Sequence, residues 1–142
     1  MTPDTLEPLA SSPEEVVELF SRYRVAVADA NVDAQSADGR YVDAYTAGFL
    51  LAKVVVRSSG YRIRGGENHR DTLLAVVWLM GSRAQSSTDA LDAARKRRNA
   101  TMYDAAGLVD EDDVAALLRR VGEFEALVRA WLAKEHPGLF GG

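Results

Sequence analysis

Residues 110–131 read DEDDVAALLRRVGEFEALVRAW, and this stretch decides the fold class. Val114, Leu117, Leu118, Val121, Phe124, Val128 and Trp131 recur every three or four residues, the spacing of one helix face. Asp110 stands where an N-cap belongs. Glu111, Asp112 and Asp113 load the first turn with the charge that a helix N-terminus favours. A helix from Asp110 to near Glu135 follows, with Pro137 and the late glycines as a loose tail over 137–142.

The chain upstream repeats the pattern. Ser12-Pro13-Glu14-Glu15 combines a serine cap, a first-turn proline and a glutamate three residues on. It opens a helix to about Ala30 through Val16, Phe20, Tyr23 and Val27. A second helix is expected over 36–58, apolar on so much of its circumference that it must be central or lie at an oligomer interface. Gly60 closes it, and 61–67 reads as a basic, flexible loop. Asn68 caps a third helix to about Arg83. After a turn at 84–87, Ser86 or Ser87 caps a fourth helix to Tyr103, whose thin stripe (Leu91, Ala94, Met102) buries one narrow edge. Residues 1–11 read as a flexible lead-in and no stretch alternates like a strand. The expectation is an all-α, four- to five-helix up-and-down bundle forming one domain over 12–136.

Composition narrows function by exclusion. The chain has 142 residues, enough for one domain with a working core. It has no cysteine, which removes disulfides, thiolate chemistry and cysteine-ligated metal. His69 and His136 lack metal-ligand spacing, so neither metal nor cofactor is expected. Neither a Gly-x-x-x-x-Gly-Lys phosphate loop nor a Gly-x-Ser-x-Gly elbow occurs. No apolar run is long enough to span a bilayer, and residues 1–10 do not read as a leader, so a cytoplasmic protein without membrane contact is expected.

Net charge is −4, but unevenly laid out. Residues 1–56 balance at −5 and 99–142 at −4, while 57–98 balance at +5 with nine basic residues, eight of them arginine. Within that block Arg95-Lys96-Arg97-Arg98 runs into Asn99-Ala100-Thr101-Met102-Tyr103-Asp104. On a helix, Arg95, Arg98/Asn99 and Met102/Tyr103 lie one above the other. The arginine fork suits phosphate and carboxylate. One reading is an intramolecular match between the basic block and its acidic flanks; the other is a site for RNA or a nucleotide.

The Arg98-Asn99-x-x-x-Tyr103-Asp104 segment resembles the signature of the HEPN domain (higher eukaryotes and prokaryotes nucleotide-binding), a small all-α bundle. Gly60-Tyr61-Arg62-Ile63-Arg64, followed by Asn68-His69-Arg70-Asp71-Thr72-Leu73, resembles the same family, and the likeness covers roughly 13–134. It implies a homodimer with two signature segments facing a cleft, cleavage of RNA without metal in active members, and a possible antitoxin protein as partner. On that likeness Arg98, Asn99 and Tyr103 are the catalytic candidates. Arg62, Arg64, His69, Arg70, Arg95, Lys96, Arg97 and Asp104 are the candidates for contact with RNA or nucleotide. Tyr103 stands where the family carries histidine, and a tyrosine pKa near 10 suits proton transfer poorly. Activity is therefore expected to be slow or absent unless His69 reaches the cleft.

The competing expectation is a non-catalytic dimeric binding or regulatory module. There Arg98 makes a salt bridge to an acid of the last helix and Asn99 caps the end of the fourth. A third reading is a structural bundle whose basic patch meets acidic partners. Trp131, Phe124 and Tyr45 read as core or dimer contacts, and Tyr61 and Tyr103 as the aromatics placed beside arginines.

Overall fold

A computed structural model describes residues 2–103 and 109–139, and for 101–103 the backbone alone. Among the described residues there are five α-helices and a two-stranded sheet, so the chain is an all-α helical bundle. Helix α1 spans Pro13–Ala30, α2 Ala37–Ser58, α3 His69–Met80, α4 Gln85–Tyr103 and α5 Glu111–Glu135. The caps at Ser12, Asn68 and Asp110 are those the sequence announces, and Ser36 adds one it does not. Ser12 Oγ accepts from the Glu15 N–H at 3.2 Å, Ser36 Oγ from Gly39 at 3.1 Å and Asn68 Oδ1 from Asp71 at 3.0 Å. At α5 the box is complete, since Asp113 Oδ2 also accepts from the Asp110 N–H at 3.0 Å.

Helix α2 is the axis of the molecule and packs against every other helix. Its close approach to α4 and α5 is made at Gly48, where a Cβ would run into Leu91 Cδ2 and press on Val121. Val114, Leu117, Val121, Phe124, Val128 and Trp131 of α5 are buried in the same core. Helix α4 contributes Leu91 and Ala94, the narrow edge expected of it.

Three boundaries differ from the sequence reading. Helix α3 stops at Met80, not near Arg83, because Gly81 takes φ +88°, a conformation that ends the helix. A 3-10 turn over Ser82–Ala84 then leads straight into α4 at Gln85, so neither Ser86 nor Ser87 is its cap. Residues 1–11 and 61–67 are not simply loose. Leu6–Pro8 (β1) pairs antiparallel with Tyr61–Ile63 (β2), Leu6 opposite Ile63 and Pro8 opposite Tyr61. Leu6 is buried with Val56 and Ala75 in a second apolar cluster.

Arg57 fastens this sheet to the bundle. Its guanidinium donates to both oxygens of Glu15 (2.6 and 2.9 Å) and to the carbonyls of Leu9, Ala10 and Tyr61 (2.9, 2.9 and 2.7 Å). Glu15 therefore serves Arg57 rather than reaching back to cap its own helix. Its carboxyl is held below the usual range by the Arg57 hydrogen bonds, which outweigh the opposing effect of burial.

Candidate functional site: the Arg98 cavity

Helix α4 carries its four cations around its circumference, and their partners differ. Asp92, one turn back, takes Arg95 at 3.0 Å and Lys96 at 3.4 Å. Arg97 reaches Asp113 of α5 at 2.8 Å and lies 5.8 Å over the Tyr41 ring. Arg98 turns toward α2, with its guanidinium carbon 5.5 Å over the Tyr45 ring. It donates to Asn99 Oδ1 at 3.3 Å, and its buried Nε has no hydrogen-bond partner among the described residues. A buried unpartnered donor on a permanent cation is costly, and a bound anion would remove that cost.

Arg98 shares a cavity of about 210 Å³ with Arg22, Lys53, Glu67 and His69. His69, the first residue of α3, is brought there by the Asn68 cap. Its Nδ1 lies 2.7 Å from the Tyr45 hydroxyl, its Nε2 lies 3.6 Å from Glu67 Oε2, and its ring stacks on Phe49 with centroids 3.9 Å apart. Lys53 holds the other Glu67 oxygen at 3.1 Å. The result is a line of Lys53, Glu67, His69 and Tyr45 with Arg98 over its end.

The charge states follow from these surroundings. Burial lowers the His69 pKa and the Arg98 charge adds to this; the Glu67 carboxylate opposes without prevailing. The ring is thus neutral near pH 7. Burial also pushes Tyr45 up to about 12, against the pull of Arg98 and Arg95, so its hydroxyl keeps its proton. Burial would raise Glu67, but Lys53 and His69 together hold it below the usual carboxylate value. A protonated tyrosine beside a neutral imidazole beside a carboxylate selects one arrangement. Tyr45 Oη donates to Nδ1, and the Nε2 proton points to Glu67. The cavity wall then carries three cations against one carboxylate.

The sequence candidates separate on this map. Arg98 and His69 meet in one cavity, with Asn99 beside Arg98 and Arg95 near enough to act on the potential at both His69 and Tyr45. Arg62 and Arg64 are drawn instead to Glu7 at 2.5 and 3.4 Å, and Arg64 also donates to the Asp4 carbonyl. Arg62 borders a neighbouring, mostly apolar cavity of about 220 Å³ that shares Phe49, Lys53 and Glu67 with the first. Arg70 lines a groove between α3 and α4 near Asp89 and Asp92, away from Arg98. Lys96 and Arg97 point to Asp92 and Asp113. Asp104 and the side chain of Tyr103 lie outside the described residues.

Two expectations are corrected. The arginine that ties α4 to an acid of α5 is Arg97, not Arg98; among the described residues Arg98 has no carboxylate within ion-pairing distance. Among the described residues the aromatics beneath arginines are Phe20, Tyr41 and Tyr45, while Tyr61 packs edge-on to Trp78. Sequence reading missed Tyr45 as a polar participant, along with Glu67, Lys53 and Arg22. A signal was present: Tyr45, Phe49 and Lys53 stand four apart on one helix, so they line one stripe. Among the described residues no cluster of three metal-ligating side chains occurs, and no helix is long and apolar enough to cross a membrane. No protein-family model, curated protein or solved structure matches the chain.

Proposed function

We propose that the chain is an RNA- or nucleotide-directed protein of the HEPN type, and that the Arg98 cavity takes a phosphate group of its ligand. One observation carries the reading. The guanidinium of Arg98, with its buried unpartnered Nε, borders a cavity of three cations that also holds a neutral imidazole. Phosphate supplies the acceptor oxygens that such a donor lacks. Arg98 would stabilise charge on the phosphoryl oxygens as a neighbouring 2′-hydroxyl attacks phosphorus and the 5′-oxygen of the next nucleotide leaves, giving a 2′,3′-cyclic phosphate.

The proton chemistry is the weak part of the machine. The lone pair of His69 on Nδ1 is taken by Tyr45, and its Nε2 proton faces Glu67. His69 must exchange the Tyr45 contact before it can accept a proton from substrate, so binding with slow cleavage, or binding alone, is the expected behaviour. Homodimerisation, an antitoxin partner and a cytoplasmic setting belong to the same proposal through the resemblance.

The test is a labelled single-stranded RNA incubated with the protein in EDTA, beside Arg98→Ala and His69→Ala. Cleavage lost in both variants establishes a metal-independent endoribonuclease. Binding without cleavage, weakened by Arg98→Ala, establishes a non-catalytic binder. If the protein neither binds nor cleaves, a regulatory bundle with protein partners replaces this proposal.

A further inference from the structure

The C-terminal end of α2 borders a further cavity, of about 440 Å³, that the Arg98 reading leaves unused. Three helices finish there. Ser59 closes α2, Leu79 lies in the last turn of α3, and Glu135 and His136 end α5. The C-terminus of each helix bears a partial negative charge from its unpaired carbonyls. Convergence of three such ends makes a locus of negative potential, to which the Glu135 carboxylate adds.

The walls are aromatic. Tyr61 and Trp78 meet edge to face at 79° with centroids 6.1 Å apart, and Trp131 and His136 meet at 65° and 4.9 Å. Trp78 is 43% exposed although it is one of the largest apolar side chains in the protein. Arg83 is the cation already present, tied by Nε to the Met80 carbonyl at 3.0 Å. It answers the end of α3, while Arg57 in the last turn of α2 and Lys134 in the last turn of α5 do not line the cavity.

We propose that this cavity binds an alkylated ammonium group, either a choline-like small molecule or a methylated lysine side chain. Aromatic faces attract a cation through their quadrupole most effectively when the cation sheds water easily, as alkylated ammonium does. A bare ammonium holds its water more strongly and would ask for more carboxylates than the one at Glu135. The proposal is independent of RNA binding at Arg98.

The protein's two tryptophans, Trp78 and Trp131, both line the cavity, so intrinsic fluorescence reports on it directly. Choline chloride should give a saturable change with a Kd of about 1 mM, as befits a shallow site. Sodium chloride at equal ionic strength and the neutral carbon analogue 3,3-dimethylbutanol should not. Glu135→Gln should weaken choline by about fivefold, the scale of one partly screened charge. Trp78→Leu, folded by circular dichroism, should abolish the response of Trp131. Arg83→Gln, which removes the competing cation, should tighten binding. Blocked trimethyllysine run beside choline distinguishes a peptide ligand from a small molecule, and tighter binding of either supports the proposal. An equal response to dimethylbutanol, no saturation by about 50 mM choline, or indifference to both Glu135→Gln and Trp78→Leu would overturn it.

Discussion

His69 and Arg57 show how single side chains are set in this molecule. The His69 pKa is depressed in the folded state, so as pH falls below the ordinary histidine value of about 6.5 the unfolded chain takes up a proton that the folded one refuses. The stability His69 confers is present above that value and is lost as pH falls through the lower folded pKa. Denaturant midpoints for wild type and His69→Phe, which preserves the stack on Phe49, should converge over that acid window. Tyr45 behaves with the opposite sign. Its contribution is complete below about pH 10, the unfolded value, and is lost as pH rises toward about 12. Tyr23 and Tyr41 are also raised, so the comparison with Tyr45→Phe, not the wild-type curve alone, isolates it. Arg57 is a different case. It makes five hydrogen bonds to Glu15 and to three carbonyls of the N-terminal segment and β2. Arg57→Ala should cost about 2–4 kcal/mol in chemical denaturation, and Arg57→Lys should not restore it, because an ammonium cannot reproduce the fork. Nothing in composition distinguishes Arg57 from its neighbours in the basic block. Its role is created by chain segments 42 and 47 residues away meeting at the end of α2.

At the scale of elements, helices were legible and strands were not, for a physical reason. Periodicity needs several turns to declare itself, and α5 supplies them; β1 and β2 have three residues each, too few to alternate, and are held by pairing and by Arg57. The helix ends followed the same logic. Ser12, Asn68 and Asp110 act on bonds within four residues and were readable, whereas the stop at Met80 depends on the φ of Gly81. Half of the Arg98 site was legible, because Arg98 and His69 are chemically conspicuous. The rest depends on which side of the crowded helix α2 faces α4. Gly48 fixes that crossing. Gly48→Leu should destabilise by about 2 kcal/mol net, since overpacking against Leu91 and Val121 exceeds the gain of about 1 kcal/mol in helix propensity. It should also weaken ligand binding at Arg98, because Leu91 seats α4 on α2. Asp113 couples two elements at once, capping α5 and pairing with Arg97 of α4. Asp113→Ala should lower the denaturant midpoint, as loss of a capping-box partner does, and Asp113→Asn should recover part of it through the cap alone.

Across the whole molecule, the basic block is matched partly by the acidic flanks and partly by an acid of its own. Among the described residues, six of the nine cations in 57–98 are ion-paired: Arg57 with Glu15, Arg62 and Arg64 with Glu7, Arg95 and Lys96 with Asp92, and Arg97 with Asp113. Both flanks take part, through Glu7 and Glu15 on one side and Asp113 on the other. Such pairs contribute little each to stability, but they remove charge from any nucleic-acid surface. The other three, Arg70, Arg83 and Arg98, line different cavities; only that of Arg98 gathers further cations, Arg22 and Lys53, and Lys53 is itself partly answered by Glu67. A protein that bound RNA through its entire basic block would displace many counterions and lose affinity steeply with salt. One that binds through the Arg98 cavity alone engages two or three phosphates. The logarithm of its association constant should fall against the logarithm of salt concentration with a slope of only about −2 for single strands. Arg98→Ala should make that slope shallower by nearly one phosphate's share, and Lys96→Ala should leave it unchanged. A steep slope sensitive to Lys96 and Arg97 would mean that the intramolecular pairs open on binding and that the helix α4 surface, not the cavity, meets the RNA.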